Sequence, residues 1–443
     1  MKVRIAMLAL LAAALGSPLF AQEGSVPKGI SNLDHVFLIV MENHGYKQIF
    51  PNPNAPFINQ LAKSAGYSTK YFAIGHPSLT NYLEIVGGSN FGVRSDDYPN
   101  WHSACPPNLA NGGTVTLDNP AQVPPLICPI SGTGTDAATP VFDCTNEVQT
   151  VPPNCLWDID GIASLAAAPN TIGKTIADQL VERGRSWKSY QESLPVGNTD
   201  GVNYSDGFFT NLTDFTSFIN SSSFASWKVQ GVNIPAIQSQ NDANGDIVLL
   251  YAAKHNPFVY FRSVQEGKNP RNSLANVVGF DGPGGLYQDL GTDDVPDLAF
   301  IVPNQCNDQH GRGIGEAGSQ CDFDPNDNGT LQGLNPALMN IGDQTLSTII
   351  LAIKNSPVWH QGHNAIVVLW DEDDYSISPT VNRVLTVVDT NYGPHGIKSN
   401  RFYTHFSVLK SLESGFHLPC LNHTCDERTN VMSDLFAGDR NDD

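Results

Sequence analysis

The stretch His35–Met41, HVFLIVM, runs apolar from Val36 onward and then breaks into Glu42, Asn43 and His44. A short unbroken apolar run rich in Val and Ile has no polar face to offer water. It reads as a strand buried on both sides in a parallel sheet. Such a sheet needs helices over both faces, which commits the chain to an α/β architecture. Open sheets of this kind bind ligands just beyond the carboxyl ends of their strands. The polar residues after Met41 are therefore site candidates, although a strand running into a helix N-cap would also place Asn there. Two later runs end the same way and favour the site. Pro296–Pro303 (PDLAFIVP) leads into Asn304–His310, and Asn364–Trp370 (NAIVVLW) ends in Asp371-Glu372-Asp373-Asp374.

Between these runs the pattern alternates. PFINQLAKSAG, within Asn52–Gly66, has helical apolar spacing and a Gly stop. Pro77 precedes a short helix that opens at Ser78 and ends at Gly87-Gly88. Thr175–Gly184 reads as a helix and Ser186–Ser193 (SWKSYQES) as the strand after it. Pro257–Ser263 (PFVYFRS) is strand-like, Ile341–Asn355 reads as a helix opened by Gly342-Asp343, and Arg401–Ser414 as an amphipathic helix. Residues 94–160 and 200–245 are rich in Pro, Gly, Asn, Ser and Asp, and read as irregular surface insertions. The expectation is one α/β domain over residues 22–443, with no internal repeat.

Residues 1–21 carry Lys2 and Arg4, an apolar run, Ser17-Pro18 and a small residue at Ala21, the pattern of a secretory signal peptide cleaved after Ala21. The run is short for a membrane span and no other segment is longer, so stable membrane insertion is not expected. Export to a secreted or periplasmic location makes the 8 cysteines legible as disulfides. Spacing favours Cys306–Cys321 and Cys420–Cys425, with Cys105, Cys128, Cys144 and Cys155 pairing among themselves. Asn203, Asn211 and Asn328 match glycosylation sequons, which matter only in a eukaryotic host. A formal net charge of -20 argues against non-specific binding to nucleic acid or anionic membrane. An anionic substrate would have to be held by a local charge.

A parallel sheet gathers the three polar strand ends, Glu42-Asn43, Asn304–His310 and Asp371-Glu372, at one edge. Carboxylates with an amide and a hydroxyl make a hard-oxygen shell for a divalent cation. Without one, crowded carboxylates repel and their pKa values rise. The acidic run 371–374 lacks the spacing of an EF-hand loop. The nucleophile candidate is Ser78 in HPSLTNYL, where a helix N-terminus offers free N–H groups to an oxyanion. A plain N-cap is the competing reading, and nothing local separates Ser78 from Thr80.

MENHGYKQIF, GHPSLTNYLEIVGG, SWKSYQES, KHNPFVYFRS, VPNQCNDQHG, VVLWDEDD and THFSVLKSLESGFHLP, in this order, resemble the bacterial and fungal phosphoesterase family of acid phosphatases and phospholipases C, within the alkaline phosphatase superfamily. The resemblance covers nearly all of the chain beyond the leader. It implies an alkaline-phosphatase-like, mostly parallel central sheet flanked by helices, and hydrolysis of small phosphate esters through a phosphoserine. It places a divalent metal on Glu42, Asn43, Ser78, Asp371 and Glu372, with Ser78 as nucleophile. Thr80 stands where the family usually has Pro. Asp308 and His310 fall where a histidine-bearing loop approaches the phosphoryl group, to stabilise its charge or protonate the leaving oxygen. His76 adjoins the nucleophile, and His395 and His405 match histidines near the family's C-terminal end; none of the three has an assigned role. The resemblance favours an acid phosphatase. A phospholipase C is the alternative, one that often carries further C-terminal β-domains. A binding protein on an inactive scaffold is the non-enzymatic alternative, disfavoured by the presence of Ser78 with both metal pairs.

Overall fold

The structure is a computed structural model that describes residues 23–91, 173–194, 227–229, 232–234, 250–265, 267–292, 294–315, 317–325, 331–374 and 382–436. The leader, the 94–160 insertion with its four cysteines, most of 200–245 and the three sequons lie outside the described residues.

Strand β1 (His35–Met41) is buried without interruption from Val36 to Met41, as its composition requires. Each such side chain, withdrawn from water, contributes about 1.5–3 kcal/mol. The other strands are β2 (Gly66–Phe72), β3 (Trp187–Gln191), β4 (Trp227–Val229), β5 (Val232–Ile234), β6 (Val277–Gly279), β7 (Leu298–Val302), β8 (Asn364–Trp370), β9 (Arg383–Thr390), β10 (Ile397–Ser399) and β11 (Tyr403–Thr404). They form a nine-stranded sheet in the order β10-β2-β9-β8-β1-β7-β3-β6, with β11 beside β2, while β4 and β5 form a separate pair. Every pairing within that sheet is parallel except those of β9 with β8 and β2, so β9 alone runs against the rest. The carboxyl ends of β1, β2, β3, β7 and β8 consequently share one edge. The α/β, mostly parallel sheet flanked by helices is the architecture expected.

The helices are α1 (Tyr46–Ile49), α2 (Pro56–Ser64), α3 (Ser78–Gly87), α4 (Ile176–Glu182), α5 (Arg262–Gln265), α6 (Leu286–Thr292), α7 (Pro336–Asn355) and α8 (His405–Gly415). α2 lies against α7 and α3 against α8. Helix α3 is buried along all its length and ends where Gly88 turns left-handed at φ +69°. Helix α7 starts earlier than apolar spacing suggested. Asn335 caps it by accepting the Ala337 N–H, and Pro336 sits at its first turn.

The PFVYFRS reading is corrected: Pro257–Tyr260 is a 3₁₀ turn and Arg262–Gln265 a short helix. Phe258, Val259, Tyr260 and Phe261 are all fully buried, so no alternation betrays the backbone, and the Phe258 ring packs tilted against Trp187 with centroids 4.5 Å apart. The expected helix from Arg401 begins only at His405, because Tyr403–Thr404 pairs with β2. Strands β2 and β9 carried no assignment from sequence. The polar Ser68–Lys70 interrupts the apolar pattern of the first. Two disulfides join Cys306 to Cys321 and Cys420 to Cys425, the pairs that spacing favoured.

Candidate active site

Register assembles the site. Met41 pairs with Trp370, and the Asp371 N–H donates to the Met41 carbonyl at 3.0 Å. Glu42 and Asp371 thus leave neighbouring strands side by side. On the other flank of β1, the Glu42 N–H donates to the Asp308 carbonyl at 2.9 Å, which draws the loop after β7 inward. Asn43 adopts φ +46°, a left-handed turn that Asn tolerates better than most residues. Its N–H donates to Asp371 Oδ1 at 3.1 Å.

Ser78 is the first residue of α3. The cap position is Pro77, with no side-chain capping bond, so Ser78 is not an N-cap. Its Oγ lies 3.2 Å from Glu42 Oε2, 3.3 Å from Asn43 Oδ1 and 3.2 Å from Glu372 Oε1. One hydroxyl proton cannot serve three acceptors. Thr80, by contrast, turns its hydroxyl back on the helix start, donating to the Pro77 carbonyl at 2.8 Å. Asn81, one turn on, donates to Glu372 Oε2 at 3.0 Å and accepts the Ile74 and Gly75 N–H groups, so it fastens the approach to Ser78 to the β8 end. His76 Nδ1 meets Glu372 Oε2 at 2.9 Å, and its Nε2 faces Asp373 Oδ1 at 3.5 Å.

Burial intensifies the charge. Glu42, Asp308 and Asp371 are fully buried and Glu372 nearly so. Burial, then the charges of Asp371 and Asp308, holds Glu42 well above the usual carboxylate range. Burial and the Glu372 charge push Asp371 up to about 8, and burial raises Asp308 likewise. The Oδ2 atoms of Asp308 and Asp371 are buried and take no hydrogen bond among the described residues. Three carboxylates, an amide oxygen and a hydroxyl, crowded and short of donors, fit a hard divalent cation. The five residues proposed from sequence as a metal shell, Glu42, Asn43, Ser78, Asp371 and Glu372, are therefore brought together.

Asp308 and His310 stand at its margin. Asp308 Oδ1 accepts the His310 N–H at 2.7 Å, and His310 Nδ1 donates to the Gly311 carbonyl at 2.8 Å. Sequence reasoning assigned no role to His255. Its Nε2 lies 3.3 Å from Glu42 Oε1 and its Nδ1 3.5 Å from Asp308 Oδ2. The ring stacks on Tyr82, centroids 5.3 Å apart, while the Tyr82 hydroxyl donates to Glu42 Oε1. Ligating atoms of Glu42, His255 and His310 lie within 4.8 Å of one another. Glu192, just past β3, also went unassigned. It accepts the Asn304 N–H and both bonds from the Asn307 amide, clamping the loop that carries Asp308 and His310. Burial raises it to about 7. The strand-end signal that marked Glu42 could have found it.

The remaining histidines separate. His405 is buried, its Nε2 donating to the Asp371 carbonyl at 2.6 Å and its Nδ1 meeting the Tyr71 hydroxyl at 3.0 Å. Burial pulls it down to about 4. His395 faces Asp389, which pairs with Ile366 near the amino end of β8, so it belongs to the opposite edge of the sheet.

A model of the Phosphoesterase family matches residues 48–321. The chain is 23% identical to a phosphate-repressible acid phosphatase of Penicillium chrysogenum, across 89% of this chain and 61% of that protein. It is 22% identical to an acid phosphatase of Aspergillus fumigatus, across 88% of this chain and 58% of that one. The chain thus spans about six tenths of the length of these fungal relatives. A phosphatidylinositol-3-phosphatase of Mycobacterium tuberculosis is 23% identical, across 94% of this chain and 88% of its own length. Among solved structures, an alkaline phosphatase superfamily protein from Vibrio parahaemolyticus superposes with a TM-score of 0.41 at 12% identity, covering 90% of this chain and 69% of the other. With the family model spanning more than half its length, the chain belongs to the Phosphoesterase family.

Proposed function

We propose that the protein is a secreted, cation-dependent phosphoric ester hydrolase of acid phosphatase type, acting on phosphomonoesters through a phosphoserine at Ser78. The observation that carries this reading is the convergence of Glu42, Asn43 and Glu372 on one buried serine oxygen at a helix start. The fungal relatives are acid phosphatases, an activity that suits this chemistry.

A divalent ion held by Glu42, Asn43, Ser78, Asp371 and Glu372 would neutralise the carboxylates and make the hydroxyl more acidic. The residues do the rest. Ser78 Oγ attacks phosphorus in line with the ester oxygen, forming the serine phosphate, and its proton passes to a facing carboxylate oxygen. The positive end of the α3 dipole, where Ser78 opens the helix, favours the charge that builds on the phosphoryl oxygens. His310, its Nδ1–H committed to the Gly311 carbonyl, acts as the imidazolium: its Nε2–H gives the proton to the departing alcohol and the ring is left neutral. Water then cleaves the phosphoserine, and phosphate leaves. His255, wedged between Glu42 and Asp308, positions both carboxylates.

The test is turnover of p-nitrophenyl phosphate by Ser78→Ala, with and without chelator. Loss of at least about 10³-fold is expected from removing a covalent nucleophile. Normal turnover by the variant would sink the proposal, and a wild-type chain with neither metal nor turnover would favour the inactive-scaffold alternative.

A second reading has one observation behind it. Phe323, partly exposed, packs 5.6 Å from the His310 ring, and Ile314 on the same loop is 82% exposed. Apolar side chains beside the leaving-group histidine would suit a phosphate carried on a lipid. A screen of phosphomonoesters, phosphodiesters and phosphatidylcholine across pH separates this reading, and the phospholipase C alternative, from the first.

A further inference from the structure

His44 follows the Glu42-Asn43 pair, but its ring is held by other partners than Ser78. Its Nδ1 donates to the Glu42 carbonyl at 3.0 Å, which leaves Nε2 as the nitrogen available to a ligand. That nitrogen meets Asp324 Oδ2 at 2.7 Å, and Asp374, beyond the end of β8, brings a second carboxylate from a distant segment to the same group. One ligating atom from each of the three lies within 4.8 Å of the others. A tetrahedral zinc shell sets its ligand atoms about 3.4 Å apart, so a small opening of the His44–Asp324 contact accommodates an ion.

All three side chains are already oriented from behind, as metal ligands are. The Asn335 N–H donates to Asp324 Oδ1 at 2.5 Å. Gln48 Nε2 donates to Asp374 Oδ2, and Gln48 Oε1 is itself held by the Gly45 N–H at 2.7 Å. The His44 ring is held by a backbone carbonyl. Charge agrees: a neutral imidazole, two carboxylates and a dication sum to zero within the triad, whereas an imidazolium in the same place leaves one negative charge over. One imidazole nitrogen with two carboxylate oxygens suits Zn²⁺ or Mn²⁺ and not the oxygen-only preference of Ca²⁺.

We propose that His44, Asp324 and Asp374 form a second divalent-metal site, distinct from the cradle around Ser78, that takes Zn²⁺ and bolts the loop before α7 to the turn bearing Glu42 and Asn43. Its role is structural, and it does not depend on Ser78 being a nucleophile.

The test is equilibrium dialysis of the full chain against Zn²⁺ after chelator treatment, with metal read by elemental analysis in wild type, Asp324→Asn and Asp374→Asn. Each variant is expected to hold one equivalent less than wild type and to lose the part of the Zn²⁺-induced rise in Tm that this ion supplies. Asp371→Asn, aimed at the other cradle, is the control and should keep the ion held by His44. Should Asp324→Asn fold poorly, Asp374→Asn alone decides. Equal zinc content in wild type and the folded variants would reduce His44–Asp324 to an ion pair and overturn the proposal.

Discussion

Between Glu42 and Asp308 stands one imidazole, His255, fixed by its stack on Tyr82. Replacing it with Ala leaves two buried carboxylates without the group that orients them, and kcat/KM is expected to fall about 10²-fold, the upper range for a group that orients ligating side chains. Kinetics at saturating cation check this, and an unchanged kcat/KM would remove His255 from the site. The apolar run at 247–253 does lead into Lys254-His255, but His255 sits in a 3₁₀ turn, Ala253–His255, and a tertiary contact brings it to the site. Glu42, Asn43, Asp371 and Glu372 were legible for the opposite reason: each directly follows an apolar strand, so the sheet edge announces it. His405 offers a test of pH. Its folded value of about 4 lies below the ordinary 6.5, so its neutral form is favoured by folding. That contribution, about 3 kcal/mol at one unit per 1.36 kcal/mol, is complete above pH 6.5 and is lost as pH falls towards 4. Denaturant unfolding at pH 7 and pH 4.5 should therefore show a smaller acid loss in His405→Gln than in wild type.

Helix α3 carries Ser78 at one end and Gly88 just beyond the other. A Cβ on Gly88 would sit 2.4 Å from the Leu421 carbonyl at a left-handed φ of +69°. Gly88→Ala should cost at least about 1 kcal/mol, since the residue can neither keep that φ freely nor move from the contact. A Tm unchanged from wild type would show that the helix end relaxes. At this scale the elements that were legible are those with a single environment. β1 from Val36 on, β7 and β8 are buried throughout, so their apolar runs are unbroken. β2 and β9 mix buried with polar positions at the side of the sheet where the direction reverses, and no run stands out. The 3₁₀ turn at Pro257–Tyr260 misleads in the other direction, because its full burial imitates a strand.

For the molecule as a whole, the cradle makes stability depend on cation and pH together. Glu42, Asp308 and Asp371 have folded pKa values raised above their unfolded ones, Asp371 to about 8. Their contribution is present below the ordinary carboxylate range and is lost as pH rises through the folded values. A bound dication cancels that loss. The gap in Tm between cation-loaded and chelated protein should widen from pH 5 to pH 8, and a gap constant with pH would speak against a cation among these carboxylates. The central claim, that Ser78 is the nucleophile within the cradle, is tested most directly by trapping. Enzyme turning over a phosphomonoester is quenched in acid and its peptides are mapped by mass spectrometry. The expected result is phosphate on Ser78 in wild type and none in Ser78→Ala. An unphosphorylated Ser78 in rapidly quenched wild type, with turnover persisting in the variant, would contradict it.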